Sequence, residues 1–318
     1  MDMGEIDRMT REEPGGELRS NEPMRKHTSW RVGGVAQRAY FPRGLDDLVR
    51  FIRTIPPSEP LHIVGLGSNL LVRDAGLRGT VVFTHGALNK IRLDRDESDA
   101  ELVYSEAGVA GAKVARFGAS HSLRGAEFLA GIPGTVGGAL AMNAGCYGSE
   151  TWDIVQSVLC LGLDGELVRC SPDQFEVGYR HVALRPGARE LSASAARDCW
   201  FAAAWFKLQP GGSDDSRRAI RDLLERRIAT QPLDQPNAGS VFRNPPGDYA
   251  ARLIESCGLK GFAIGGAAVS TKHANFIVNT GAASAADIEA LIDKVQLTVS
   301  ERCGVRLERE IRIIGERA

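Results

Sequence analysis

The chain has 318 residues, 43% of them hydrophobic and 25% charged, and its 39 Lys+Arg against 40 Asp+Glu leave a formal net charge of −1. This is the composition of a globular protein long enough for two or three domains. The scattered, balanced charge excludes a global field that would gather nucleic acid or an anionic membrane.

No run reaches the roughly 18 apolar residues needed to span a bilayer. The polar, mixed-charge opening "MDMGEIDRMTREEPGGELRS" is no secretory signal and reads as a flexible lead-in. Six cysteines, none in C-x-x-C spacing, read as reduced cytosolic thiols rather than a disulfide frame or a zinc site. Leu45, Leu48, Val49 and Ile52 fall at helical spacing, and Pro56-Pro57 close that helix. "LHIVGLG" (61–67) is expected to be a buried strand, followed at once by "SNLLV". "TVVF" (80–83) and "ELVYSEAG" (101–108) are the next strands, with the helix "AGAKVARFGASH" behind the latter. In "VQSVLCLGLDGELVRC" (155–170), Asp164-Gly165 is a strong hairpin signal. "DCWFAAAWFKL" (198–208) is expected to be a strand, and "PGGSDD" (210–215) a linker before a charged helix through Ile228. "NAGSVFRNP" (237–245) reads as turn, short strand, turn. "YAARLIESCG" (249–258) is a helix closed by Gly258, and "HANFIVN" (273–279) a strand. Ser284 and Asp287 open a helix in capping-box fashion, and "RLEREIRIIG" (306–315) is a closing strand. No internal repeat is evident. The mixture predicts an α+β protein with a strand-rich middle.

"GIPGTVGGALAMNAGCYGSE" (131–150) stands apart: six of its residues are glycine and Glu150 carries its only charge. Glycine lets other groups approach the main chain closely, and successive exposed N–H groups form a concave anion site. The segment therefore suits a ligand with phosphates and a flat ring. "GLGSNLLV" (65–72) has the same look just after a strand. Two such pieces argue for one extended ligand, a dinucleotide. The competing explanation is close helix–strand packing and tight turns. Gly65-Leu66-Gly67 begins a G-x-G-x-x-G, but Leu70 occupies the third glycine position, and no P-loop sequence is present.

"GSNLLVRDAGLRG", "EFLAGIPGTVGGALAMNAGCYGSE", "PNAGSVFRNP", "STKHANFIVN" and "LEREIRIIG" occur in this order. Together with "TSWRVGGVA" (28–36) they closely resemble the UDP-N-acetylenolpyruvoylglucosamine reductase family, flavoenzymes of bacterial peptidoglycan precursor synthesis, over about residues 25–316. The resemblance implies an α+β FAD-binding fold of the vanillyl-alcohol oxidase type, two α+β subdomains, plus a C-terminal α+β substrate domain. The expected division is a lead-in at 1–22, FAD subdomain 1 at 23–85 with 305–318 returning to it, FAD subdomain 2 at 86–212, and a substrate domain at 213–304. It implies non-covalent FAD, with the pyrophosphate against Gly65, Gly67, Ser68, Asn69 and Leu70. The isoalloxazine is expected along Ile132, Pro133, Gly134, Thr135, Gly137 and Gly138, and along Asn143, Gly145, Tyr147 and Gly148, with Arg312 also reaching the flavin. NADPH is implied as the reductant, bound in turn where the substrate binds. A cytoplasmic location and a monomer that binds neither nucleic acid nor membrane are expected. No metal is expected.

The implied reaction reduces the enolpyruvyl ether of UDP-N-acetylglucosamine enolpyruvate to a lactyl ether, giving UDP-N-acetylmuramate. Hydride passes to flavin N5 and on to C3, and a proton must reach C2. The resemblance makes Ser240 that proton donor; a hydroxyl needs neighbouring cations or a relay to act as an acid, and the alternative is a turn serine bonding its own backbone. It places Glu310 beside the substrate carboxylate, where a second anion raises a carboxyl pKa; the alternative is a surface pair with Arg312 on one strand face. Arg180, after Tyr179 in "EVGYRHVAL", is the candidate clamp for the enolpyruvyl carboxylate and its enolate, against a plain solvated arginine. Tyr179, Arg243, Asn244, Lys272, His273 and Asn275 are candidates for the UDP-sugar. Lys272 and Arg243 equally suit exposed charges, and His273 a structural role. Some members carry a tyrosine-bearing loop over the substrate. Here "RPGARELSASAARDCWF" (185–201) has no tyrosine, so the chain resembles the form lacking that loop. Two other readings are a flavin oxidase of the same fold, with Cys146 the one candidate tether in the glycine-rich stretch, and a non-catalytic flavin- or nucleotide-binding module.

Overall fold

A computed structural model of the chain describes residues 13–186 and 199–317. Its contacts divide the chain into two compact units. One comprises Met1–Arg19, Ala39–Gly65 and Thr80–Leu224; the other comprises Ser20–Arg38, Leu66–Gly79 and Glu225–Ala318.

The first unit is built on a five-stranded antiparallel sheet in the spatial order Leu167–Cys170, Val155–Leu161, Trp200–Phe206, Glu101–Glu106, Ile91–Arg95. The Asp164-Gly165 hairpin forms as read: Leu161 pairs with Leu167, Asp164 Oδ1 accepts the Glu166 N–H at 3.0 Å, and Gly165 takes φ +73°. One face buries Val103, Val158, Ala204 and Phe206 against Val114 and Leu140, from the helices Gly111–Ser120 and Val136–Ala141. On a second apolar cluster Tyr104 and Trp205 pack together, flanked by Arg92 at 3.8 Å and Arg169 at 4.0 Å over their rings. The helix Leu45–Ile52 buries Leu48, Val49, Phe51 and Ile52, and Phe51 stacks on Tyr40 at 3.5 Å. Asp47 fixes its first turn by accepting from Gly15 N, Arg43 N and the Tyr40 hydroxyl. Burial and that carboxylate push the Tyr40 phenol well above its ordinary range.

The second unit surrounds a core of Trp30, Leu71, Phe242, Leu253, Ile277, Ile288, Leu291 and Val295. Trp30 Nε1–H donates to Ile277 O at 2.8 Å, and Asn279 Nδ2 returns a bond to Trp30 O at 2.9 Å. The helix Ala285–Cys303 has the expected capping box between Ser284 and Asp287 and ends at Gly304 in the left-handed region. Asp74, in the tail of "GSNLLVRDAG", accepts from Ala285 N and Ala286 N as well. Its neighbour Arg73 grips Glu289 of the same helix through two bonds of 2.8 Å and donates to Gly315 O.

Bonds from Arg73, against a partial burial that opposes them, hold the Glu289 carboxyl below its ordinary range. A depressed carboxyl stabilises the fold above its unfolded pKa, about 4.3, and that contribution is lost as pH falls through the lower folded value. Arg73→Ala is expected to cost about 2–3 kcal/mol at pH 7. Urea unfolding at a series of pH values should show this penalty narrowing below about pH 4.

Several expectations need correcting. "PGGSDD" is no linker throughout, because the helix Ser213–Thr230 starts inside it. "NAGSVFRNP" holds no strand among the described residues, only isolated bridges of Asn237 with Val278 and Phe242 with Arg309. The Asn275 carboxamide takes both the N–H and the O of Phe242, so a side chain substitutes for a strand ladder there. The closing strand is only Arg312–Ile314, parallel to Leu70–Val72. It is short because the chain changes partners: Glu310 N donates to Val241 O, and Arg312 N to Asn69 O. The strands Glu17–Pro23 and Val35–Phe41 were not anticipated.

Candidate active site

In the first unit the glycine-rich segment forms a 3-10 turn (Glu127–Gly131), the helix Val136–Ala141, and two short paired strands, Gly145–Cys146 and Ser149–Glu150. Tyr147 (φ +54°) and Gly148 (φ +87°) make the tip between them, and positive φ at both central residues is the hairpin turn that matches strand twist. The glycines divide into two kinds. A Cβ on Gly65 would strike Thr135 Oγ1, one on Gly137 would lie 3.0 Å from Ala107 Cβ, and one on Gly145 would lie 2.9 Å from Glu150 Cγ. These positions are glycine for packing inside the protein. A Cβ on Gly138 would meet only Thr135 Oγ1 at 3.9 Å, and one on Gly148 nothing within 4 Å. Around this open main chain Ile132 packs inward, Thr135 is buried, Pro133 lies between them, and Gly134 O accepts from Gly111 N. Tyr147 and Tyr179 are 50% and 46% exposed. Bare main chain beside exposed aromatic rings fits a flat ring system such as isoalloxazine.

Tyr179-Arg180 is the two-residue connection of the hairpin Phe175–Gly178/His181–Leu184, in which Gly178 pairs with His181. Arg180 sits at φ +54°, in the region where a side chain costs about 1–2 kcal/mol and glycine is the usual occupant. Its NH1 donates to Asn143 O at 3.3 Å, its NH2 to Gly145 O at 3.0 Å, and its guanidinium lies 5.1 Å from the Tyr179 ring centroid. Asn143, buried, is also at positive φ. Its Nδ2 donates to Glu150 Oε2 at 2.7 Å and to Gly178 O at 3.1 Å, and its Oδ1 accepts the Trp152 N–H. Three strained non-glycine residues, Asn143, Tyr147 and Arg180, therefore gather on one segment and its tethered hairpin. Such clustering is characteristic of functional sites.

In the second unit Gly67 is buried at φ +62°, where a Cβ would strike His27 O. Ser68, Asn69 and Leu70 follow, half-buried. Asn69 Nδ2 donates to Glu310 O at 3.2 Å, Asn69 O accepts the Arg312 N–H at 2.9 Å, and Glu310 N donates to Val241 O at 2.7 Å. The main chain of Glu310 is thus pinned on one side to the glycine turn and on the other to the residue after Ser240. Ser240 is half-buried. Among the described residues its hydroxyl bonds no partner, unlike a serine that closes its own turn. Arg312 is exposed.

The second-rank residues have defined engagements. Both ends of the Asn275 carboxamide hold Phe242. Asn244 Oδ1 accepts from Ala250 N at the start of the helix Ala250–Ser256. Lys272 Nζ donates to Ile228 O at 2.6 Å, near the C-terminal end of Ser213–Thr230. Arg243 lies 3.7 Å from Glu308. Burial lowers the His273 pKa; its Nδ1 accepts the Asn275 N–H and its ring meets Phe276 edge-on, a structural engagement. Residues 187–198 of the interval without a tyrosine loop lie outside the described residues. Glu150 was not singled out from the sequence. Its signal was there: it is the one charge in the glycine-rich stretch.

The family model "UDP-N-acetylenolpyruvoylglucosamine reductase, C-terminal domain" matches residues 231–314, and the FAD binding domain model matches residues 36–171. The chain is 58% identical to the UDP-N-acetylenolpyruvoylglucosamine reductase of Nitrosospira multiformis over 94% of this chain and 89% of that protein. It is 55% identical to that of Thiobacillus denitrificans over 95% and 93%. Among solved structures, the Thermus caldophilus UDP-N-acetylenolpyruvylglucosamine reductase superposes with a TM-score of 0.75 at 30% identity, covering 94% of this chain and 98% of that one.

Proposed function

The chain belongs to the UDP-N-acetylenolpyruvoylglucosamine reductase family, and from that premise we propose how its own residues carry the reaction. The protein is an FAD-dependent oxidoreductase of peptidoglycan precursor synthesis that reduces UDP-N-acetylglucosamine enolpyruvate with NADPH, giving UDP-N-acetylmuramate. FAD, when bound, supplies hydride transfer between the nicotinamide and the enolpyruvyl group.

The residues do the rest. Ser240 donates the proton that C2 requires. Arg180 grips the enolpyruvyl carboxylate, and its fixed charge stabilises the enolate as it develops. Its guanidinium is oriented in part by bonds to two carbonyls, Asn143 O and Gly145 O. Glu310 stands beside the substrate carboxylate. The observation that supports this reading is the pinned main chain of Glu310, held to Val241 and to Asn69. Gly67, Ser68, Asn69 and Leu70, after Gly65, meet the pyrophosphate. Gly138 and Gly148 offer open main chain to the ring, and Arg312 reaches the flavin. Tyr179, Arg243, Asn244 and Lys272 serve the UDP-sugar. Asn275 and His273 serve it indirectly, by fixing the segment that carries Ser240.

The domain division set out above is retained as a proposal, and the parallel pairing of Arg312–Ile314 with Leu70–Val72 supports the return of 305–318 to the first segment. Among the described residues no helix is long and apolar enough to cross a membrane; a cytoplasmic monomer is proposed.

Gly138→Ala separates the two kinds of glycine. A helical Gly→Ala change gains about 0.5–1 kcal/mol, so the variant is expected to melt no lower than the parent while its flavin content falls. Flavin absorbance per protein, read beside the melting curve, checks both halves. The function itself is tested by the visible spectrum of the purified protein before and after denaturation. A yellow protein that releases its flavin is expected; a colourless protein, or flavin that stays attached to the chain, overturns the reading.

A further inference from the structure

Glu150 carries a carboxylate into a segment otherwise without charge, and its position explains why. It pairs with Gly145 across the short two-stranded sheet, and its Cγ would lie only 2.9 Å from a Cβ added to Gly145. The side-chain stem therefore lies directly on the Gly145 main chain. The carboxylate goes further: Oε2 accepts from Asn143 Nδ2 at 2.7 Å, and the side chain also accepts from the Asp153 main chain in a reciprocal capping box. Asn143 and Gly145 both offer carbonyl oxygens to the Arg180 guanidinium. One side chain thus fixes both acceptors. The same Asn143 amide that Glu150 orients also donates to Gly178 O, at the root of the turn that carries Arg180.

We propose that Glu150 is a positioning residue for the oxidative half of the reaction, holding the two carbonyls that aim Arg180 at the substrate carboxylate. The inference rests on the reading of Arg180 as the carboxylate clamp. Arg180 occupies a strained backbone position at φ +54°, so its orientation depends on these outside tethers. Asn143, itself at φ +39°, has its amide held between Glu150 Oε2 and Gly178 O. When Glu150 is shortened, Asn143 loses a charge-assisted bond and Gly145 loses the stem that covers it. The clamp then keeps its charge and loses its aim, and misplacement by about 1 Å costs on the order of a hundredfold in rate.

The test measures the two half-reactions separately in Glu150→Ala, Glu150→Gln and Arg180→Ala holoenzymes, with flavin content determined for each. NADPH has no carboxylate for Arg180 to grip, so reduction of the flavin by NADPH is expected to stay within about twofold of the parent in every variant, a difference smaller than one ordinary hydrogen bond. Reoxidation by the enolpyruvyl substrate should slow about tenfold to a hundredfold in Glu150→Ala. Glu150→Gln keeps an oxygen acceptor for Asn143 and should recover most of that loss. If Arg180→Ala slows reoxidation and Glu150→Ala does not, the positioning role is wrong and the clamp stands. If Arg180→Ala leaves reoxidation unchanged, the clamp itself is wrong and takes the inference with it. If both Glu150 variants lose flavin, or lose both half-reactions equally, Glu150 serves the cofactor or the scaffold and the inference is overturned.

Discussion

Ser240→Ala is expected to leave NADPH able to bleach the flavin while slowing reoxidation by the enolpyruvyl sugar nucleotide about 10²- to 10⁴-fold, the usual contribution of a placed general acid. That corresponds to roughly 3–5 kcal/mol of barrier, and it falls on one half-reaction because only that half needs a proton at C2. The fold should hardly notice. The hydroxyl is half-buried and bonds no partner among the described residues, so its removal should change stability by no more than about 0.5 kcal/mol. The neighbouring Val241 O to Glu310 N bond involves main chain alone and survives. Anaerobic stopped-flow traces of the two half-reactions, with a melting curve alongside, check all three statements. Two unchanged half-reactions would remove Ser240 from the chemistry.

Arg180→Ala and Arg180→Gly should both slow reoxidation about 10²- to 10³-fold, the loss expected when one fixed charge is taken from a developing anion. Their stabilities should differ in the unusual direction. In most positions alanine is more stable than glycine by about 0.5–1 kcal/mol. At φ +54° the order should invert, with Arg180→Gly more stable than Arg180→Ala by about 1 kcal/mol. Both variants lose the same bonds to Asn143 O and Gly145 O, so the comparison isolates backbone strain. Paired denaturant titrations of the two variants, together with their reoxidation rates, read the strain and the chemistry independently. An alanine variant more stable than the glycine one would mean that the turn is unstrained and that Arg180 is there for another reason.

The elements legible in the sequence were those whose signals are local. Apolar residues at helical spacing gave Leu45–Ile52, the Ser284–Asp287 box gave the start of Ala285–Cys303, and Asp164-Gly165 gave its hairpin. The strand Val35–Phe41 carries no such local signal, because "VAQRAYF" does not alternate cleanly. Its burial follows its sheet neighbours, with Ala39 and Tyr40 buried in succession. The segment after Asn237 misled for a different reason, since its apolar run is held by the carboxamide of Asn275, 33 residues away from Phe242. The glycine-rich stretch was visible as a whole and not in its parts. Only the three-dimensional neighbours separate Gly137, pressed on Ala107, from Gly138, open on that side. Arg73 carries no spacing signature, because its partner Glu289 is adjacent only in space, whereas Glu150 shows in the sequence only as the lone charge of its stretch and its hold on Asn143 appears in the fold.

The most direct measurement follows the visible spectrum of the purified protein through one anaerobic turnover. NADPH is expected to bleach the yellow colour, and a stoichiometric amount of UDP-N-acetylglucosamine enolpyruvate to restore it with formation of the lactyl ether. A flavin that stays bleached in the presence of that sugar nucleotide, or that recovers without the lactyl product, would contradict the assigned reaction.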